Sequence, residues 1–124
     1  MAITQAIATV FKQDLMSPGG NLAALTLKCA LYDNTATLNA TSAAYATANE
    51  ISASGTNYTT GGNVLTNVAI SVDGTTAIFD ADNVTFPNAT ISAQAALLYN
   101  NSNANAAIAV LDFGGVKTST NGTF

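Results

Sequence analysis

An all-β fold, two antiparallel sheets packed as a jelly-roll-like β-sandwich with one short N-terminal helix, is what this 124-residue sequence predicts. Three observations carry the prediction. Residues 91–113 read as a long β-hairpin. On the way in, Ile91, Ala93, Ala95, Leu97 and Tyr99 share one face at period two, and on the way back Ala107, Ala109, Leu111 and Phe113 do the same. Between them Asn100-Asn101-Ser102-Asn103-Ala104-Asn105 is turn chemistry, because Asn and Ser bond their own main chain and tolerate left-handed backbone. Next, Val64, Thr66, Val68, Ile70 and Val72 form one face of a strand that Asp73-Gly74 turns back into residues 75–81. Last, Leu25, Leu27, Cys29 and Leu31 alternate with Thr26, Lys28, Ala30 and Tyr32, the pattern of a half-buried strand with its leucines inward.

In chain order, residues 4–16 carry the helix, with Thr4 placed to cap it and Ile7, Val10, Phe11 and Leu15 on one face. Ser17-Pro18-Gly19-Gly20 stops it. Residues 33–62 form a long polar excursion whose larger groups include Tyr45, Glu50, Ile51 and Tyr58. So long a stretch inside a compact domain predicts some local structure, a helical turn near 42–48 and a short strand near 50–53. Val84, Phe86 and Pro87 lead through Asn88 into the long hairpin. Ile108 and Val110 make its return strand apolar on both faces, so that strand belongs at the centre of the sandwich. Gly114-Gly115 breaks it, residues 116–120 continue extended, and Asn121-Gly122 reads as a second hairpin-type turn that leaves the C-terminal strand incomplete.

One domain spanning 1–124 accounts for the length, and a chain of this size buries roughly two-thirds of its unfolded surface. Only 8% of residues are charged, against about 25% in an ordinary soluble domain, so the surface is Thr, Asn, Ser and Ala. Such a skin suits a protein packed against neighbours or working outside a cell. Three lysines, no arginine and a net charge of −4 leave almost nothing to neutralise phosphates, which argues against nucleic-acid binding. No segment approaches the roughly 18 to 20 consecutive apolar residues of a membrane span, and the first residues lack the pattern of a secretory signal. Without His or Arg, the Ser-His-Asp and Cys-His sites and His-ligated zinc are impossible. Cys29 reads as a core thiol among leucines. Asp80, Asp82 and Asn83 resemble a fragment of a calcium loop but lack its spacing and closing Glu, so a solvated strand end explains them better. The expectation is a protein with no catalytic residue, no metal and no cofactor.

The order of short segments goes further than composition. Phe11-Lys12-Gln13-Asp14-Leu15, Leu27-Lys28-Cys29-Ala30-Leu31-Tyr32, Tyr45-Ala46-Thr47-Ala48-Asn49-Glu50 and Asn57-Tyr58-Thr59-Thr60-Gly61-Gly62 are followed by Ala95-Ala96-Leu97-Leu98-Tyr99-Asn100. Then come Ala109-Val110-Leu111-Asp112-Phe113-Gly114-Gly115, Lys117-Thr118 and Gly122-Thr123-Phe124. In this order and spacing the chain resembles a family of small tailed-bacteriophage virion structural proteins, over nearly its whole length. That resemblance implies a non-enzymatic virion component assembled in the host cytoplasm, of the capsid cement or decoration type, with the major capsid protein as partner and symmetric or homo-oligomeric copies on the particle. It implies no nucleic-acid or membrane partner. The family typically runs on past the Gly-Thr-Phe with one more strand. A tail or fibre component and a carbohydrate-binding adhesin module are the rival readings. The expected partner contact is the 33–62 excursion, with Tyr45 and Tyr58 as its anchors.

Overall fold

A computed structural model of the chain describes residues 3–15 and 25–124. The elements run β1 (Ala6–Ile7), α1 (Thr9–Leu15), β2 (Leu27–Tyr32), β3 (Asn63–Val64), β4 (Ala69–Asp73), β5 (Thr76–Asp80), β6 (Ala89–Asn100) and β7 (Ala106–Gly122). They form an all-β architecture of two antiparallel sheets, a five-stranded sheet ordered β1-β7-β6-β2-β3 and a two-stranded ribbon β4-β5. The long hairpin is the spine of the molecule. β6 lies between β2 and β7, with its residues 95–100 paired on both sides and 89–93 paired with β7 alone.

Both faces of the five-stranded sheet are covered, and that changes the orientation of β2. Leu27, Cys29 and Leu31 do point into one core, where Ile51, Tyr58, Leu65 and Phe86 cover them. Ala30 and Tyr32, expected to face outward, are 0% and 2% exposed in a second core with Ala95, Leu97, Tyr99 and Val110. The N-terminal segment and the loop that follows β2 lie over that second face, with Ile3, Ala8, Ala36, Leu38 and Tyr45 packed on it. The alternation was real, but a cover made of polar, irregular chain leaves no periodic signature.

Bulges break the single face expected for the long hairpin. Between Ala93 and Ala95 the register shifts, with Ala93 opposite Lys117 and Ala95 opposite Asp112. The extra residues on β7 include Gly114 at φ 78°, a conformation glycine adopts without strain. The two glycines are therefore absorbed as a bulge and the strand continues. Across the bulge the faces exchange: Ile91 and Ala93 join the first core, while Ala95, Leu97 and Tyr99 join the second. Ile108 is buried at 4%, but Leu111 is 38% exposed at the rim. Asn121-Gly122 does not turn back either, because Gly122 pairs with Ala89 and Phe124 exchanges both backbone bonds with Phe86 at 3.0 Å.

The helix is shorter than the periodicity suggests. Thr4 does not cap it; its N–H donates to the Leu38 carbonyl at 2.8 Å, and Ala6 and Ile7 pair with Val110 and Ala109 of β7. Ile7 is thereby 47% exposed, away from the helical stripe of Val10 and Phe11. Met16 and the Ser17-Pro18-Gly19-Gly20 stop lie outside the described residues. In the 33–62 loop no helical turn forms near 42–48; Ala44 bridges Ala106, and Glu50 contributes a single bridge to Tyr32 in place of a strand. Local side-chain bonds compete with helix here, as Asn39 Oδ1 accepts from the Thr41 N–H at 2.9 Å and Asp33 Oδ1 from the Thr35 N–H at 2.8 Å. The strand expected over 64–72 divides at Asn67, φ 53°, into β3 and β4.

Candidate functional site

All four tyrosines of the protein gather around one carboxylate. Glu50 Oε1 accepts from the Tyr45 hydroxyl at 2.7 Å, and Oε2 accepts from the Tyr58 hydroxyl at 2.6 Å and the Gly61 N–H at 2.7 Å. Tyr58 Oη in turn accepts the Leu31 N–H at 3.0 Å. Tyr99 donates to the Gly61 carbonyl at 2.6 Å, and Tyr32 donates to the Ala46 carbonyl at 2.7 Å. Tyr45 stacks on Tyr99 with ring centroids 4.7 Å apart. This arrangement ties the polar loop to the sheet. Burial, and for Tyr45 and Tyr58 also the hydrogen bond to Glu50, raises the phenols above their ordinary value, so they remain donors at neutral pH.

The expected anchors therefore divide. Tyr58, only 2% exposed and packed against Phe86, is a core residue in the free chain. Tyr45 is half-buried, with its ring and hydroxyl already engaged. Cys29 sits where the sequence put it, buried at 6%, and burial pushes its thiol up to about 12. Asp82 Oδ2 is held by Asn67 Nδ2 at 2.6 Å and the Thr66 hydroxyl at 3.2 Å, while Asp80 accepts the Ala81 N–H at 2.9 Å. Among the described residues no group of three or more His, Cys, Asp or Glu is placed to hold a metal ion. Likewise, among the described residues no helix is long and apolar enough to cross a membrane.

The surface that stands open is the β4-β5 ribbon. Asp73 pairs with Thr76 across Gly74-Thr75, and Gly74 at φ 64° supplies the left-handed first position of a tight hairpin turn. Register puts Ile70 opposite Phe79 and Val72 opposite Ala77, so these four share one face of the ribbon. Ile70 and Val72 are nonetheless 49% and 73% exposed. Between the ribbon residues Ile70, Ala77 and Phe79 and the sheet lies an apolar groove of about 350 Å³, lined also by Leu98, Ile108 and Ala109 of the sheet and by Ile7 and Phe11. A second apolar groove, about 390 Å³, opens on the other side of Phe79, between Leu98, Leu111, Phe113 and Phe124. The ribbon thus stands off the sheet and seats only Phe79 firmly between the two grooves. The Asp-Gly signal located this ribbon in the sequence; alternation marked one apolar face and carried no signal that the face is open.

Comparison with known protein families, curated proteins and solved structures finds no match for this chain.

Proposed function

We propose that this chain is a non-enzymatic structural protein of a tailed-bacteriophage virion, seated on the head as a cement or decoration protein across joints between major capsid protein subunits. The phage setting rests on the sequence resemblance. The docking role rests on one observation, the open apolar ribbon over its groove. A two-stranded ribbon is marginal by itself in water and gains stability when its apolar face is covered. Ile70 and Val72, 49% and 73% exposed, present such a face in a protein with only 8% charged residues. Apolar contact contributes about 25 cal/mol per Å² before the costs of association, whereas an exposed ion pair contributes about 0 to 1 kcal/mol. Burial is therefore the stronger source of attachment, and many copies on a symmetric shell add modest affinities together. The adhesin reading loses its aromatic platform, since Tyr58 is buried and Tyr45 is stacked on Tyr99.

Purified protein added to phage heads that lack it tests the proposal. Saturable binding with a copy number set by the symmetry of the head supports it, together with heads that resist heat better when occupied. Binding confined to tails, or to glycans, overturns it.

A further inference from the structure

We infer that the outer edge of β4 is a self-association site, where the ribbon of one molecule pairs antiparallel with that of a second copy to give a four-stranded sheet. Across a two-residue turn the flanking residues exchange both backbone bonds, and the pattern alternates down the ladder. Asp73, Ser71 and Ala69 therefore direct their N–H and C=O groups to β5, while Ile70 and Val72 direct theirs outward. Among the described residues neither outward pair bonds to anything beyond the ribbon. The edge is also unguarded. It has no lysine, no proline and no register shift, the devices that commonly keep strand edges apart. The open edge of β7 differs, with Lys117 and the Gly114-Gly115 bulge along it, and β3 at the far side of the sheet is only two residues long.

A second copy is the occupant because β4 is complementary to itself. Antiparallel pairing about Ser71 sets Ile70 against the other copy's Val72 and Val72 against its Ile70, and each such pair uses the outward backbone groups. Asp73 then faces Ala69, so no like charges meet. A two-fold axis through the Ser71 pair keeps Ile70, Val72, Ala77 and Phe79 of both molecules on one face of the joined sheet, and it closes the assembly at two copies. β4 is chosen over β5 because all five of its residues are exposed, whereas Phe79 and Asp80 of β5 line the groove that Phe86 and Phe124 also line. This pairing goes beyond the virion reading and needs no phage component.

Sedimentation of the isolated full chain at micromolar concentration is expected to give a dimer. Val72→Pro removes one outward N–H and leaves the ribbon's own ladder intact, so it is expected to yield a folded monomer. Ala77→Pro does the same on the β5 edge and is expected to remain dimeric. Ser71→Cys supplies a positive test that survives any folding defect of the proline variants. Residues facing each other at a non-hydrogen-bonded pair have Cα atoms about 4.5 Å apart, within the disulfide range of about 4.4 to 6.8 Å. Mild oxidation should therefore give a reducible covalent dimer that the wild type, with Cys29 buried, does not form. A wild-type monomer overturns the inference. So does a dimer that Ala77→Pro dissociates and Val72→Pro does not, or a dimer in which Ser71→Cys fails to cross-link. Failure of head binding leaves these outcomes untouched, so the two proposals stand or fall separately.

Discussion

Glu50 is the side chain on which the long loop closes, a partly buried carboxyl met by neutral donors. Its carboxylate accepts three hydrogen bonds, from Tyr45, Tyr58 and Gly61. Glu50→Gln turns one acceptor into a donor facing other donors, and is expected to cost about 1 to 3 kcal/mol, measured as a urea midpoint. Tyr45→Phe should cost less, because its partner stays in reach of water. Alkali should act on the same cluster. The folded-state values of Cys29, Tyr32, Tyr58 and Tyr99 are raised, from ordinary values of 9.0 for the thiol and 10.0 for the phenols. Above those ordinary values the unfolded chain releases protons that the folded chain holds, so stability falls as pH rises. The melting temperature should be level through neutral pH and decline above about pH 9 to 10, with tyrosinate absorbance appearing only as the protein unfolds.

At the scale of elements, the hairpin β6-β7 supplies nearly half of the described buried apolar residues, and two of its three leucines differ sharply. Leu97 is 0% exposed and Leu111 38%. Leu97→Ala should cost about 2 to 5 kcal/mol in denaturant unfolding, and Leu111→Ala clearly less, because an open rim leaves no closed cavity. The loop reaches β2 by a close approach that only glycine permits. A Cβ on Gly62, at φ 78°, would meet the Cys29 carbonyl oxygen at 1.8 Å. Gly62→Ala is expected to destabilise by on the order of 2 to 5 kcal/mol, from backbone strain and displaced β2 together, whereas Gly55→Ala meets no neighbour. Calorimetry of the pair separates the steric contribution from the shared strain of left-handed backbone.

For the whole molecule, a sheet covered on both faces by loops, a short helix and a ribbon leaves its open apolar surface concentrated around β4 and β5. Attachment through such a surface responds to salt in a particular way. With ten charged side chains in the sequence, occupancy on heads should persist from low to molar salt, where screening abolishes exposed ion pairs. Loss of the protein from heads in molar salt would point instead to the acidic residues Asp73, Asp80 and Asp82 of the ribbon and its flank. Tyr45→Ala, remote from the ribbon in sequence, should leave occupancy unchanged while lowering the melting temperature, since it withdraws a ring stacked at 4.7 Å and a bond to Glu50.

Local pattern by itself determined the all-β class, the 91–113 hairpin, the turn after Asp73 and the burial of Cys29, because period-two alternation and turn chemistry act between near neighbours. Tertiary structure alone decided which faces are inside. Ala30 and Tyr32 are buried because distant polar chain covers them, and alternation within β2 carries no information about that cover. Ile91 and Ala93 lie on the other face from Ala95 and Leu97 across the irregularity at Gly114, where β7 runs from Lys117 to Asp112 while β6 runs only from Ala93 to Ala95, and an odd register shift of this kind reverses the side chains beyond it. Tyr58, expected at the surface, lies in the core because Glu50 and the Leu31 N–H give its hydroxyl partners there, a satisfaction that depends on groups brought together only by folding. Val72 and Leu97 each belong to an alternating apolar face in the sequence, and only the position of the ribbon in the folded chain leaves Val72 73% exposed while Leu97 is buried.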